Sequence, residues 1–372
     1  MANNSSVPYF NWFAEESKKH SDYRFSFVAM HKERPEMLDE MPAKGCEAHW
    51  IKFDNGKRKS SMIYSFFKLV KLFRKIKPDV VHTHLFDDSL PGLLAAKFAG
   101  IKTRVITKND TTFHWYYAPK WVFLDKLNNW IATDIVAISN ESREFILKNE
   151  KGDPTKVRVI HHGIPIAQFA NPESQRMADL IEKYELQDKL IIGTVARLIE
   201  WKGYRYIIEA ARIIAKKHPA ARFLFVGTGD QQLELESLVK SYKLEEHVVF
   251  TGWVDRADVP SLYGIMNIYL HAASKEPFGF VIAEAMAAGL PIVSTKTGAA
   301  LDAIVHKEDG YLVDEKDVDG IIKGIDFIVE KNLLRDNREI LKRKAVELYS
   351  FDVMWRKHIE LYNRAKSRLN LK

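Results

Sequence analysis

Short apolar runs rich in β-branched and aromatic residues recur along this chain, each separated from the next by a stretch long enough for an amphipathic helix. In the first half the runs are RFSFVAM, HWIKF, DVVHTH, TRVIT, DIVAIS and VRVIHH. Strands that alternate with helix-length segments make βαβ units and a parallel sheet, so this half reads as a doubly wound α/β domain. After a polar segment over 171–188 the alternation restarts with KLIIGTVA, RFLFVG, VVFTG, IYLHA, PIVST and GYLV, which predicts a second α/β domain. The expected domains are 1–187 and 188–351. The tail over about 352–372, WRKHIELYNRAKSRL in its central part, has apolar positions at helical spacing and is expected to pack back on the first domain. Two such sheets facing across a cleft would place a ligand in the crevice outside the carboxyl ends of their strands.

Length and composition narrow the class without changing that picture. At 372 residues, 46% hydrophobic and 28% charged, the chain suits two globular domains and neither a disordered nor a fibrous class. Its single cysteine, Cys46, cannot form an internal disulfide, which fits a reducing compartment, and the cytoplasm is the expected location. No apolar run approaches the roughly 20 residues that span a bilayer, and MANNSSVPYF lacks the pattern of a signal peptide. A net charge of +7 favours anionic partners without choosing among nucleic acid, phospholipid and a phosphorylated substrate.

The chemistry concentrates in SKEPFGFVIAEAMAAGL, between IYLHA and PIVST. Pro277 and Gly279 interrupt regular structure, whereas VIAEAMAAG is strong helix-forming material ending in glycine. Glu276 is therefore expected on a loop and Glu284 early in a helix. The start of that helix presents unpaired amides and a partial positive charge suited to a diphosphate. Glu284, one turn in, could accept bonds from two vicinal ribose hydroxyls, and Glu276 could face a reacting sugar. Spacing alone fits equally well a solvated Glu276 and a Glu284 that only complements the helix terminus. In GTVARLIEWKGY, Arg197 and Lys202 emerge from one strand-to-helix loop. At about 4 Å and an effective dielectric near 20, each attracts a phosphate charge by about 4 kcal/mol before desolvation, more than the 2 kcal/mol or so a helix terminus offers. Any loop can also carry an exposed Arg and Lys, so this pair by itself does not decide.

Taken in order, ARLIEWKG, FVGTGD, FTGWV, EPFGFVIAEAMAAGLPIVST and GYLV resemble the motif series of retaining glycosyltransferases of family 4, which have the GT-B fold of two Rossmann-like domains. KPDVVHTHL, DIVAIS and VRVIHHGIP occupy the places of the family's weaker N-terminal motifs. The resemblance implies that Arg197 and Lys202 bind the donor diphosphate, Glu284 the ribose, and Glu276 the transferred sugar. The amides around Phe278, Gly279 and Phe280 would assist at the phosphates. Gly227, with Thr251 and Gly252, would shape the wall near the base. It further implies a nucleotide-sugar co-substrate, UDP-linked by expectation, with no cofactor and no bound metal, and a glycan or lipid-linked acceptor.

Several histidines and aspartates are weighed against this. His82 and His84 share one face of DVVHTH, and His161 and His162 precede a glycine loop; a satisfied structural histidine is the commoner outcome for all four, with His84 kept as a catalytic candidate facing acceptor or sugar. TRVIT is followed by Lys108, Asn109 and Asp110, where relatives often carry a histidine that touches the sugar, so Asn109 and the nearby His114 are catalytic candidates too. Asp317 and Asp319 form the D-x-D pair of metal-dependent transferases, but in an exposed acidic stretch, and are assigned no metal. The family's first buried strand is not expected in this sequence: ANNSSVPYFNWFAEESKK reads as the loop and helix that would follow it, and Asn3, Asn4, Ser5 and Ser6 are expected where small residues would approach donor phosphate or sugar. Over 57–77, Ile63, Phe66, Phe67, Val70 and Phe73 are expected to pack on the sheet, with Lys68, Lys71 and Lys75 opposite and able to meet anionic lipid at the inner face of the membrane. The rival readings are a silent sugar-nucleotide-binding protein, a GT-B epimerase or phosphorylase, and a nucleic-acid binder, the last without a recognised motif.

Overall fold

The computed structural model describes residues 9–84, 86–109, 113–331 and 333–370, and every structural statement below refers to these. Asn3 to Ser6 and Asp110 lie outside them. The chain divides into two compact units, 1–163 with 354–372 (unit 1) and 164–353 (unit 2). The sequence pattern drew its border at 187/188, but the helices Ile166–Ala170 and Ser174–Lys183 pack on helices of unit 2, against Phe280–Ala287 and Val259–Ile265.

All twelve expected strands are present. Unit 1 holds β1 (Ser26–His31), β2 (Glu47–Lys52), β3 (Val80–Thr83), β4 (Thr103–Lys108), β5 (Asp134–Ala137) and β6 (Val157–Val159). They form two parallel sheets, β1-β2 and β3-β4-β5-β6, and the described chain opens with the helix Tyr9–Ser17. Buried Leu93, Ile106, Ile131 and Ile135 fill one core of this unit and Ile51, Leu69, Phe73 and Val81 another. The closing helix Phe351–Asn370 buries Met354, Trp355, His358 and Leu361, a stripe one helical face wide.

One helix sits differently from its reading. Arg58–Ile76 turns Ser61, Ser65, Leu69 and Phe73 inward, with Phe66 and Val70 at the edge of the core, while Ile63 is 61% and Phe67 65% exposed. The sequence reading counted only apolar positions toward the packed face. Two small serines, one of them bonded through its hydroxyl to the Asp54 backbone, occupy that face and rotate the large side chains outward.

Unit 2 holds β7 (Leu190–Val195), β8 (Ala221–Val226), β9 (Val248–Gly252), β10 (Ile268–His271), β11 (Ile292–Thr295) and β12 (Gly310–Val313) in one parallel sheet, order β12-β11-β10-β7-β8-β9. Such strands are covered on both faces and read as unbroken apolar runs. Helix Tyr204–Lys217 shows how a cover is specified. Tyr204, Ile207, Ile208, Ala211, Ile214 and Ala215 recur at helical spacing and are buried against the sheet, and Lys216 and Lys217 complement the C-terminal dipole. Each large side chain so buried contributes about 1.5–3 kcal/mol. The strand order reverses between β7 and β10, and the loops leaving their carboxyl ends are those that carry the candidate residues.

Candidate functional site

The two loops at this switch point are tied together by backbone. Ser274 N–H donates to the Trp201 carbonyl at 2.9 Å. Gly203 lies so close to β10 that a Cβ there would stand 2.1 Å from the Ala272 oxygen, so only glycine permits the approach. Lys202, one residue earlier, is thereby carried to Glu276, and its ammonium forms an ion pair with Glu276 Oε2. Both side chains are about one-sixth exposed, at 15% and 17%. Arg197, on the same loop, is exposed.

Behind Glu276 stands a residue the sequence reading passed over. His271 ends β10, is 1% exposed, and points Nε2 to 3.8 Å from Glu276 Oε2, beyond hydrogen-bond reach. Burial holds its pKa down to about 4, so the ring is neutral near pH 7. The available signal was positional: a polar side chain at the carboxyl end of an otherwise apolar buried strand.

The next helix, Phe280–Ala287, starts after Gly279, whose φ is +90°. The Phe278 side chain is buried against Phe280 and Tyr349, and its carbonyl accepts from Ala299 N–H at 2.7 Å, which fixes the loop from below. Glu284 is 8% exposed and accepts from the Tyr263 hydroxyl at 2.9 Å through Oε2. Burial raises its pKa above the ordinary carboxylate value, while the Tyr263 bond and the Arg256 charge work the other way. Neither Tyr263 nor Arg256 had a local sequence signal, because both come from a different helix-loop segment. On the other side of β7, Gly227 and Gly252 are bridged, Gly227 N–H donating to the Gly252 carbonyl at 3.2 Å, and Thr251 lies beside them. A Cβ on Gly227, at φ +136°, would stand 2.2 Å from the Ala196 oxygen. The carboxyl ends of β7, β8, β9 and β10 and the loops that leave them thus carry Arg197, Lys202, Gly227, Thr251, Gly252, Glu276 and Gly279 at one edge of unit 2.

The remaining candidates belong to unit 1 and fall into two groups. Asn109 donates to the His84 carbonyl at 2.6 Å, which brings these two together. His84 stacks on His82 at 4.2 Å, and His82 has both ring nitrogens bonded, to the Tyr362 hydroxyl and the Thr107 hydroxyl, each at 2.7 Å. Burial, with lesser contributions from neighbouring histidines, holds His84 and His162 at about 3. His114 stands apart, 6% exposed, with Nδ1 2.8 Å from Asp125 Oδ2. Asp125 also accepts from Lys108, which reaches Glu150 as well, both at 2.9 Å. Asp317 caps a helix by accepting from Gly320 N–H. Among the described residues no group of three or more His, Cys, Asp or Glu side chains could hold a metal ion, and no helix is long and apolar enough to cross a membrane.

Comparison with known proteins identifies the family and the fold. The model of the family "Glycosyl transferases group 1" matches residues 172–347, and that of "Glycosyltransferase Family 4" matches residues 19–168. The capsular polysaccharide biosynthesis glycosyltransferase CapM of Staphylococcus aureus is 27% identical over 82% of this chain and 81% of its own length. A UDP-Gal:alpha-D-GlcNAc-diphosphoundecaprenol alpha-1,3-galactosyltransferase of Escherichia coli is 26% identical over 76% of this chain and 74% of its own. In three dimensions the Anabaena protein HepE, solved in complex with UDP, superposes with a TM-score of 0.81 at 20% identity, over 97% of this chain and 98% of that one. The two models between them run along most of the sequence, and the chain belongs to the family 4 glycosyltransferases, with the GT-B fold of two parallel α/β domains.

Proposed function

We propose that the loops after β7 and β10 bind the diphosphate of a UDP-linked sugar, and that the enzyme moves a hexosyl or N-acetylhexosaminyl group from it to a glycan or lipid-linked acceptor, with retention and without a metal ion. The observation that carries this reading is the meeting of Lys202 and Glu276 from two loops at the switch point, beside a helix whose buried Glu284 stands in its second turn. Lys202 and Arg197 take the two phosphates, assisted by the amides at Phe278, Gly279 and Phe280. Glu284 receives the ribose hydroxyls, and Gly227, Thr251 and Gly252 wall the base. Glu276, released when Lys202 turns to phosphate, holds hydroxyls of the transferred sugar. The leaving phosphate oxygen takes the proton of the attacking acceptor hydroxyl on the same face of the sugar, so the protein contributes positioning and charge stabilisation. His84 and Asn109 are the acceptor-side candidates of unit 1, and His114, closed into its ion network, serves the scaffold.

Relatives support the donor and acceptor classes: one is named for UDP-Gal and a diphosphoundecaprenol-linked acceptor, and a structural neighbour was solved with UDP. An acceptor of that kind would bring the enzyme to the inner face of the membrane. The test is a panel of UDP-sugars with a polyprenyl-diphosphate-linked sugar in EDTA. Transfer in EDTA with the α-linkage of the donor kept is expected. Activity restored only by manganese, or donor binding with no transfer to any acceptor, would overturn it.

A further inference from the structure

In unit 1 the helices Arg58–Ile76, Phe86–Phe98 and Val122–Ile131 lie together, the middle one packed on both others. Their outward side carries Ile63, Phe67, Phe98, Phe123 and Trp130, at 61%, 65%, 64%, 58% and 67% exposure. Scattered exposed apolar residues are ordinary, but these are joined. Phe66, at the seam, sets its ring edge-on to Phe67 at 5.2 Å and to Phe98 at 5.3 Å. Lys97, next to Phe98, lays its ammonium 4.5 Å over the Trp130 ring. The aromatic surface therefore continues from the first helix across the second to the third.

The same surface is strongly basic. The 19 residues of Arg58–Ile76 include six cations and no carboxylate, and Lys59, Lys68, Lys71, Arg74 and Lys75 are exposed. The acids of the neighbouring helices do not offset this. Asp87 is paired with Arg58, Asp125 is buried under Lys108, and Asp88 lies half-buried at the end of its helix remote from Phe98. An apolar protein partner would bury these cations without counter-charge, and water leaves the rings exposed. An anionic headgroup layer over hydrocarbon satisfies both, since rings settle at headgroup depth while lysine stems let ammonium groups reach phosphate.

We propose that this three-helix face docks unit 1 on an anionic lipid bilayer, with Phe67, Phe98 and Trp130 entering the headgroup layer and Lys68, Lys71 and Lys97 meeting lipid phosphates. The face lies wholly in unit 1, so the inference stands independently of nucleotide binding in unit 2. The full chain is sedimented with vesicles of phosphatidylglycerol and phosphatidylcholine in equal parts and, separately, of phosphatidylcholine alone. Binding to the first is expected to exceed binding to the second at least tenfold and to weaken with salt, because each cation near such a surface strengthens binding about fivefold. The triple substitution Phe67→Ser, Phe98→Ser, Trp130→Ser should lower binding to the anionic vesicles more than tenfold. Its melting temperature and UDP affinity should not change, since all three side chains are mostly exposed. Equal binding to both vesicle types, or a triple variant that sediments like the wild type, would overturn the proposal. So would self-association that the triple variant abolishes in a chain that ignores vesicles, which would give the face to a second copy.

Discussion

In unit 1 the Lys108 side chain is 6% exposed and closed between Asp125 and Glu150, whereas in unit 2 Lys202 and Glu276 are about one-sixth exposed and meet across two loops, with Arg197 standing open beside them. Both arrangements are ion pairs at the carboxyl side of a parallel sheet. The first is complete as it stands. Burial depresses the Lys108 pKa, the two carboxylates more than offset it, and the ammonium stays charged with every partner in place. The second is one that a polyanion can open, because a diphosphate offers Lys202 more negative charge than one carboxylate does. A fully buried network thus marks scaffold here, and a partly exposed pair between loops marks the ligand site.

Acid should separate the two units most strongly. Burial holds His84 and His162 at about 3 and His358 at about 4, against an ordinary 6.5, while in unit 2 it holds His271 at about 4 and also lowers His306. The unfolded chain takes up protons at 6.5 that the folded chain refuses. Stability from these groups is therefore full above pH 6.5 and falls as pH drops toward 4, by about 1.4 kcal/mol per pH unit for each histidine. Denaturant titrations between pH 7 and about 5 should show the unit 1 transition moving first, and a flat profile would mean that the cluster is hydrated.

Lys108→Ala leaves Asp125 and Glu150 buried without their cation and should cost about 3–5 kcal/mol in urea unfolding. A loss below 1 kcal/mol would place Lys108 with the ligand site and dissolve the contrast. Glu276→Gln works in the opposite sense. Removing the carboxylate that competes for Lys202 should leave UDP affinity unchanged or improve it by up to about fivefold, roughly 1 kcal/mol, while turnover of UDP-sugar falls. Weakened UDP binding in calorimetry would show that Glu276 holds the nucleotide and not the sugar.

The difference between the units also explains what the sequence could convey. Strands were legible because each is a short β-branched run, and the loops after β7 and β10 were legible because their charges follow buried strands within a few residues. Lys108, Asp125 and Glu150 are 17 and 25 positions apart in sequence and meet only through helix packing, so no spacing announces them. The outward turn of Ile63 and Phe67 was hidden for a related reason: Ser61 and Ser65 bury readily where a helix is closely packed, and a pattern that scores only apolar residues assigns them to solvent. His271 lay inside a strand already accounted for, and its side chain acquires meaning only from Glu276 beside it.

The central claim, that the β7 and β10 loops form the diphosphate site, is tested most directly by UDP calorimetry on Lys202→Ala. A charged hydrogen bond of this kind is worth about 1.5–3 kcal/mol, so affinity should fall at least tenfold with the melting temperature unchanged. Wild-type affinity in that variant would contradict the account.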